Sequence, residues 1–132
     1  MGLGKCGRAV QLLSGYVGST PEVKDLVEGW RSIVQFDLMG EEPFYIICEG
    51  QRAEFHEGLS DNADVVLSGR SEVFFDVITG KLDPDRAYMM KKYAVKGSVV
   101  DAMKFRRVSE IVEQSHKSMF SVLKTLGKVA FR

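Results

Sequence analysis

The sequence is poor in the residues from which reactive or disulfide-stapled proteins are built. Two cysteines and two histidines occur in 132 residues. Cys6 and Cys48 supply neither a disulfide framework nor metal-ligand spacing, and Cys48 reads as a buried small hydrophobe. His56 and His116 lie 60 residues apart with no second ligand nearby. No apolar run approaches the roughly 18 residues needed to cross a bilayer. The amino terminus has no apolar leader, position 6 is Cys where myristoylation needs Ser or Thr, and Ala130-Phe131-Arg132 is no peroxisomal address. These absences set the expectation of a cytoplasmic protein with no metal and no cofactor.

Net charge is absent as well, but the charges are sorted along the chain. Residues 22–76 hold 13 acids against 4 Lys/Arg, and residues 81–132 hold 12 Lys/Arg against 5 acids. Such a split argues against a nucleic-acid partner met by the whole surface, and no exposed aromatic run accompanies the basic half as a stacking platform would. What the chain does possess is ordinary globular composition, 45% hydrophobic and 27% charged. At this length one domain buries about two thirds of its unfolded surface and needs no staple.

Periodicity places the elements. Residues 1–19 carry five glycines and read as a loose or short helical segment, with a helix near 8–14. Within them, Gly2 to Gly7 spells G-x-G-x-x-G, but no strand precedes it to aim a dinucleotide at a helix. Thr20-Pro21-Glu22 reads as a helix start, followed by apolar Val23, Leu26, Val27 and Trp30. Strands are expected at 32–38, 44–48, 52–57 and 63–67, the second apolar on both faces and therefore central. Ser71 is placed to cap a helix reaching Gly80, and Asp83-Pro84 opens another. A last strand covers 93–96. Ser98 with Asp101 resembles a capping box and opens a long amphipathic segment that Gly127 closes. Helix, strand meander, two helices, strand, helix is an α+β order with an antiparallel-rich sheet.

No nucleophile or acid–base constellation stands out, so the chain does not read as an enzyme. Glu41, Glu42, Asp83 and Asp85 sit in turns and caps, where acids serve local needs. Two clusters in the second half are more informative. Lys91, Lys92, Lys96, Lys104, Arg106 and Arg107 read as a solvated helix face or as a seat for lipid phosphate at a head group or membrane surface. Met89, Met90, Met103 and Met119, with Phe74, Phe75, Phe105 and Phe120, read as core or as an adaptable wall around an apolar guest.

One ordered set of motifs resembles the sterol carrier protein type 2 family of lipid-transfer domains. It comprises Ala63-Asp64-Val65, Thr79-Gly80-Lys81-Leu82-Asp83-Pro84, Ala87-Tyr88-Met89, Lys96-Gly97-Ser98 and Ala102-Met103-Lys104. Gly29-Trp30 and Glu42-Pro43-Phe44-Tyr45 look similar too. The resemblance spans roughly 21–108, within a domain taken as 20–132. It implies a five-stranded, mainly antiparallel sheet covered by helices, with an apolar tunnel between the two. It also implies non-enzymatic binding and transfer of a fatty acid, fatty acyl-CoA, phospholipid or sterol-like lipid. Phe74, Phe75, Ile78, Met89, Met90, Val100, Met103 and Phe105 would form the wall. Met119, Phe120 and Leu123 would form a lid, and Lys91, Lys92, Arg106 and Arg107 would meet a head group or a membrane. The alternative is an interaction module without ligand, in which the apolar stripe of 108–126 packs on a partner or makes a homodimer.

Overall fold

The computed structural model describes residues 3–118. Five strands form one sheet, β1 (Arg31–Met39), β2 (Phe44–Glu49), β3 (Arg52–Glu57), β4 (Val65–Arg70) and β5 (Tyr93–Gly97), in the order β3-β2-β1-β4-β5. Three pairings are antiparallel, while β1 and β4 run parallel. The sheet is thus mixed and mostly antiparallel. The helices are α1 (Lys5–Tyr16), the single turn α2 (Lys24–Val27), α3 (Ser71–Ile78), α4 (Pro84–Met89) and α5 (Val99–Ser115).

Register decides which side chains meet the helices. Phe44 stands opposite Phe36, Phe36 beside Leu67, and Leu67 opposite Val95, so one row of large apolar groups crosses four strands. Val34, Leu38, Ile46, Cys48 and Val65 share that face, and Cys6, Val10, Phe74 and Phe75 pack onto it. A second buried cluster joins Ala9, Leu13 and Val17 to Val23, Val27, Val108 and Val112. The amino-terminal segment is therefore built into both clusters through α1.

Local chemistry revises several expectations. The central strand is β1; β2 is interior but one place removed. Gln35 is the polar member of an alternating Val34-Gln35-Phe36-Asp37-Leu38 run, yet it is buried because its amide is fully used: Nε2 donates to the Phe44 carbonyl at 3.0 Å, and Oε1 accepts from Ser60 N–H at 2.6 Å. Thr20 does not cap a helix. Its hydroxyl donates to the Tyr16 carbonyl at 2.6 Å, and a 3-10 turn at Pro21–Val23 leads into the brief α2. Ser71 falls inside the first turn of α3 rather than before it, and its carbonyl accepts the Cys6 thiol at 3.0 Å. The G-x-G-x-x-G stretch runs into the start of α1, whose Cys6 and Gly7 N–H groups donate to the Glu41 carboxylate. That carboxylate complements the helix dipole.

Ser98 does cap α5, accepting from Asp101 N–H at 3.1 Å. The Asp101 side chain does not return to close a capping box; it accepts from Trp30 Nε1 at 3.0 Å and Ser32 Oγ at 2.9 Å, tying α5 to the front of β1. The expected unbroken run to Gly127 instead stops at Ser115. There His116 turns aside to Thr20 Oγ1 at 3.2 Å and to the Tyr16 ring. Residues beyond 118 lie outside the described chain.

Candidate functional site

Between the sheet and α3, α4 and α5 the helices do not close down completely. They leave a cavity of about 500 Å³. Its floor is aromatic. Phe36 stacks on Phe44 at 4.8 Å and meets Phe74 and Phe105 edge-on at 6.1 and 5.7 Å. Tyr93 continues the series, 5.1 Å from Phe74 and 5.7 Å from Tyr88. Leu67 and Val95 complete the sheet side, and Val10 and Leu13 of α1 enter from behind. Rings constrained by mutual edge and face contacts move less than methionine side chains would. The floor is therefore a shaped apolar surface.

Helical geometry sorts the residues expected at the wall. Phe74 and Ile78 of α3 line the cavity with Val77, whereas Phe75 points about a quarter turn away, toward α1, with the Lys5 ammonium 4.8 Å from its ring. In α5, Ala102, Phe105, Arg106, Ser109 and Glu113 recur at three- and four-residue spacing and face inward. Met103 reaches the rim, while Val100 falls on the outer side, 71% exposed. The short α4 turns Ala87 fully inward and Tyr88 to the rim, which leaves Met89 and Met90 outside, Met89 at 81% exposure. Met119, Phe120 and Leu123 lie outside the described residues.

The expected head-group cations separate similarly. Arg106 lines the cavity; Lys91, Lys92 and Arg107 do not. Arg106 Nη1 donates to Asp85 Oδ1 at 3.0 Å, and Glu110 Oε1 lies 3.0 Å from Nε as an ion pair, but the buried Nε–H makes no hydrogen bond among the described residues. Arg106 thereby bridges the first turn of α4 to the middle of α5 across the cavity's edge. Lys91 closes α4 in the left-handed conformation, φ 57°, donating its N–H to the Tyr88 carbonyl at 3.0 Å. Sequence reasoning passed over Val10 and Leu13, although Cys6, Val10, Leu13 and Val17 already repeat at helical spacing.

The remaining reactive groups are structural. Burial, then the nearby Asp101 carboxylate, pushes the Cys48 thiol up to about 12, and burial with Glu41 raises Cys6 further. Burial likewise raises the Tyr93 phenol, which donates to the Pro84 carbonyl at 3.0 Å. His56 stacks on Tyr45 at 5.1 Å, away from the cavity. No group of His, Cys, Asp and Glu among the described residues could hold a metal ion.

A pH consequence follows from the thiols. A thiol whose folded pKa lies above the unfolded value contributes its full stability below that unfolded value, near 9. It loses that contribution as pH rises toward the folded value. Each buried cysteine should therefore lower stability by up to about 1.4 kcal/mol per pH unit above 9. Urea melts at pH 8, 9.5 and 10.5 should shift accordingly, and Cys48→Ser should flatten its share of the slope. A disulfide reagent should stay silent at pH 8 until the chain unfolds.

Comparison with known proteins fits this architecture. Residues 11–110 match the SCP-2 sterol transfer family. Hydroxysteroid dehydrogenase-like protein 2 of Rattus norvegicus is 31% identical over 87 residues, which are 64% of this chain and 17% of that protein. The chain spans about a fifth of the length of the curated relatives it matches. Among solved structures, the sterol carrier protein domain 2 of Helicoverpa armigera superposes with a TM-score of 0.62 at 21% identity, covering 82% of this chain and 87% of that one. A protein titled UbiJ-SCP2 ubiquinone synthesis protein gives 0.65 at 12% identity, covering 80% and 89%. With the sheet order, the helix-covered face and a family match across most of its length, the chain belongs to the SCP-2 sterol transfer family.

Proposed function

We propose that the chain binds an apolar ligand in the cavity between sheet and helices and carries it between membranes without covalent chemistry. The observation that supports this most is the cavity itself: about 500 Å³, floored by Phe36, Phe74 and Phe105, in a member of a sterol transfer family. That volume lies within the range of small-molecule pockets. Burying hydrocarbon gains about 0.8 kcal/mol per methylene, so a medium-length chain reaches micromolar affinity after the ordering losses of association.

Exposed Met89, Met90 and Val100 in the same half of the chain as Lys91, Lys92 and Arg107 give the protein apolar and basic groups with which to touch an anionic membrane surface. The partner-binding alternative has less to use. Val108 and Val112, the first part of its stripe, are buried within the chain against α1 and α2.

The reading is tested by titrating delipidated, folded protein with Nile red, an uncharged apolar fluorophore, and displacing it with dodecanol. One saturable site, competitively emptied, is expected. Folded protein that neither takes up the dye saturably nor releases it to dodecanol would overturn the reading.

A further inference from the structure

Single apolar groups scattered over a protein surface need no explanation, but a contiguous cluster of them marks an interaction site. Eight large apolar side chains are exposed among the described residues, and six of them fall between 88 and 103: Tyr88, Met89, Met90, Val99, Val100 and Met103. Three of the six, Tyr88, Val99 and Met103, also line the cavity, at 48%, 51% and 61% exposure. The cavity therefore opens to the outside between α4 and the start of α5, and the exposed cluster surrounds that mouth. Met89 and Met90 follow Tyr88 around the end of α4, and Val100 lies one turn before Met103 on α5.

The charge beside the cluster is mostly of one sign. Residues 86–109 hold seven Lys/Arg and one acid. That acid, Asp101, is turned inward to Trp30 and Ser32. Lys91 and Lys92 continue the turn from Met90 and are exposed, as is Arg107, one turn beyond Met103. Of the flanking acids, Asp85 lies 3.0 Å from Arg106, and Glu110 lies 3.0 Å from Arg106 and 3.9 Å from Arg107. Asp83 precedes α4, at the end away from Met89. An apolar centre with basic neighbours complements an anionic bilayer: the cations meet phosphate while the apolar groups enter the boundary beneath. Unbranched methionines conform to a fluid surface more readily than to a fixed one. A protein seated here would stopper the mouth, whereas a bilayer is both a seat and a store of apolar ligand.

On the footing of the proposed ligand cavity, we infer that this face docks on anionic membranes with the mouth against the lipid, so that ligand passes between bilayer and cavity by contact and does not cross water. Tyr88, Val99 and Met103 flank the passage. Met89 and Val100, outside the cavity, anchor the chain beside it.

The experiment follows an uncharged probe from protein to membrane. Pyrene-labelled dodecanol on the delipidated full chain is mixed with acceptor vesicles that carry a quencher, made of phosphatidylcholine alone or with one-quarter phosphatidylserine. The transfer rate is expected to rise in proportion to vesicle concentration. It should be at least fivefold faster to the anionic vesicles and lose that advantage in 0.5 M salt. M89E/V100E alters side chains that are exposed and outside the cavity. It should slow transfer to anionic vesicles at least fivefold and leave probe affinity in vesicle-free solution within twofold. M39E/L59E adds the same charge at the two exposed apolar positions outside the cluster and should transfer as the unaltered chain does. A rate indifferent to vesicle concentration, equal rates to both acceptors, or equal slowing in both variants would overturn the docking. An unaltered chain that sediments as a dimer and is split by M89E/V100E would give the face to a second copy, and overturn it too. Failure of the folded chain to take up the probe saturably would instead remove the cavity reading beneath it.

Discussion

Replacing Gly97 with alanine is expected to lower stability by at least about 3 kcal/mol, a larger loss than at the other described glycines of positive φ. Gly97 ends β5 at φ +97°, where an L side chain is strained. A Cβ there would overlap the Asp64 carbonyl oxygen and lie 3.2 Å from Val65 Cα. Both obstacles are backbone, so no side chain can swing aside. The same Asp64 carbonyl accepts from Ser98 N–H at 2.9 Å, and its carboxylate accepts from Ile33 N–H at 2.7 Å. A displaced Gly97 would therefore disturb the β1–β4 start, the cap of α5 and the Asp101 anchor together. Gly50 makes the comparison: its φ is +56°, with nothing within 4 Å of an added Cβ. Gly50→Ala should cost about 1 kcal/mol, backbone strain alone. Urea melts of the two variants measure the difference, and equal midpoints would show that the Asp64 contact yields easily.

That junction was visible in the sequence only as Lys96-Gly97-Ser98, one motif of the family resemblance. Its reason, a carbonyl 33 residues earlier pressed against the turn, is long-range. The same division runs through the fold. Strand positions were legible because alternation is local: 52–57 and 44–48 were read to within a residue of β3 and β2. Sheet order was not, since nothing within β1 announces that it pairs antiparallel with β2 and parallel with β4. Buried Gln35 made β1 look half-exposed, and the backbone groups of Phe36, Phe44, Gly58 and Ser60 that its amide meets explain its place.

For the site, residue type was a poorer guide than helical phase. Methionine and phenylalanine content singled out the second half of the chain, and of the residues named there Phe74, Ile78, Met103 and Phe105 line one cavity. Met89, Met90 and Val100 share that composition but not that phase, because a six-residue α4 has room for one inward turn, occupied by Ala87 and Tyr88. The charge split along the chain was equally legible, but it does not say which single charges face the cavity. A basic segment can still fold its few acids onto one edge, and Arg106 reads as a free cation until Asp85, 21 residues away, is seen beside it.

The second large effect is expected from Ala102→Trp, which separates a void from a packed interior by the sign of a stability change. Ala102 sits at the inward phase of α5, partly buried, facing the cavity beside Phe105. In a close-packed core, so large an addition forces side chains off their rotamers and costs 1–3 kcal/mol or more. In a cavity of about 500 Å³ the indole finds room among Phe36, Leu67 and Phe74, and each 100 Å² of apolar surface it buries returns about 2.5 kcal/mol. Thermal and urea melts should therefore show stability held or raised. Nile red and dodecanol affinity should fall at least tenfold, because the added ring occupies the volume the ligand would take. A destabilised variant that still binds would mean that the ligand lies elsewhere and that α5 already packs tightly on the sheet. A stable variant that no longer binds ties ligand capacity to this one space under α5, where the sheet supplies the aromatic floor and the helices stop short of filling it.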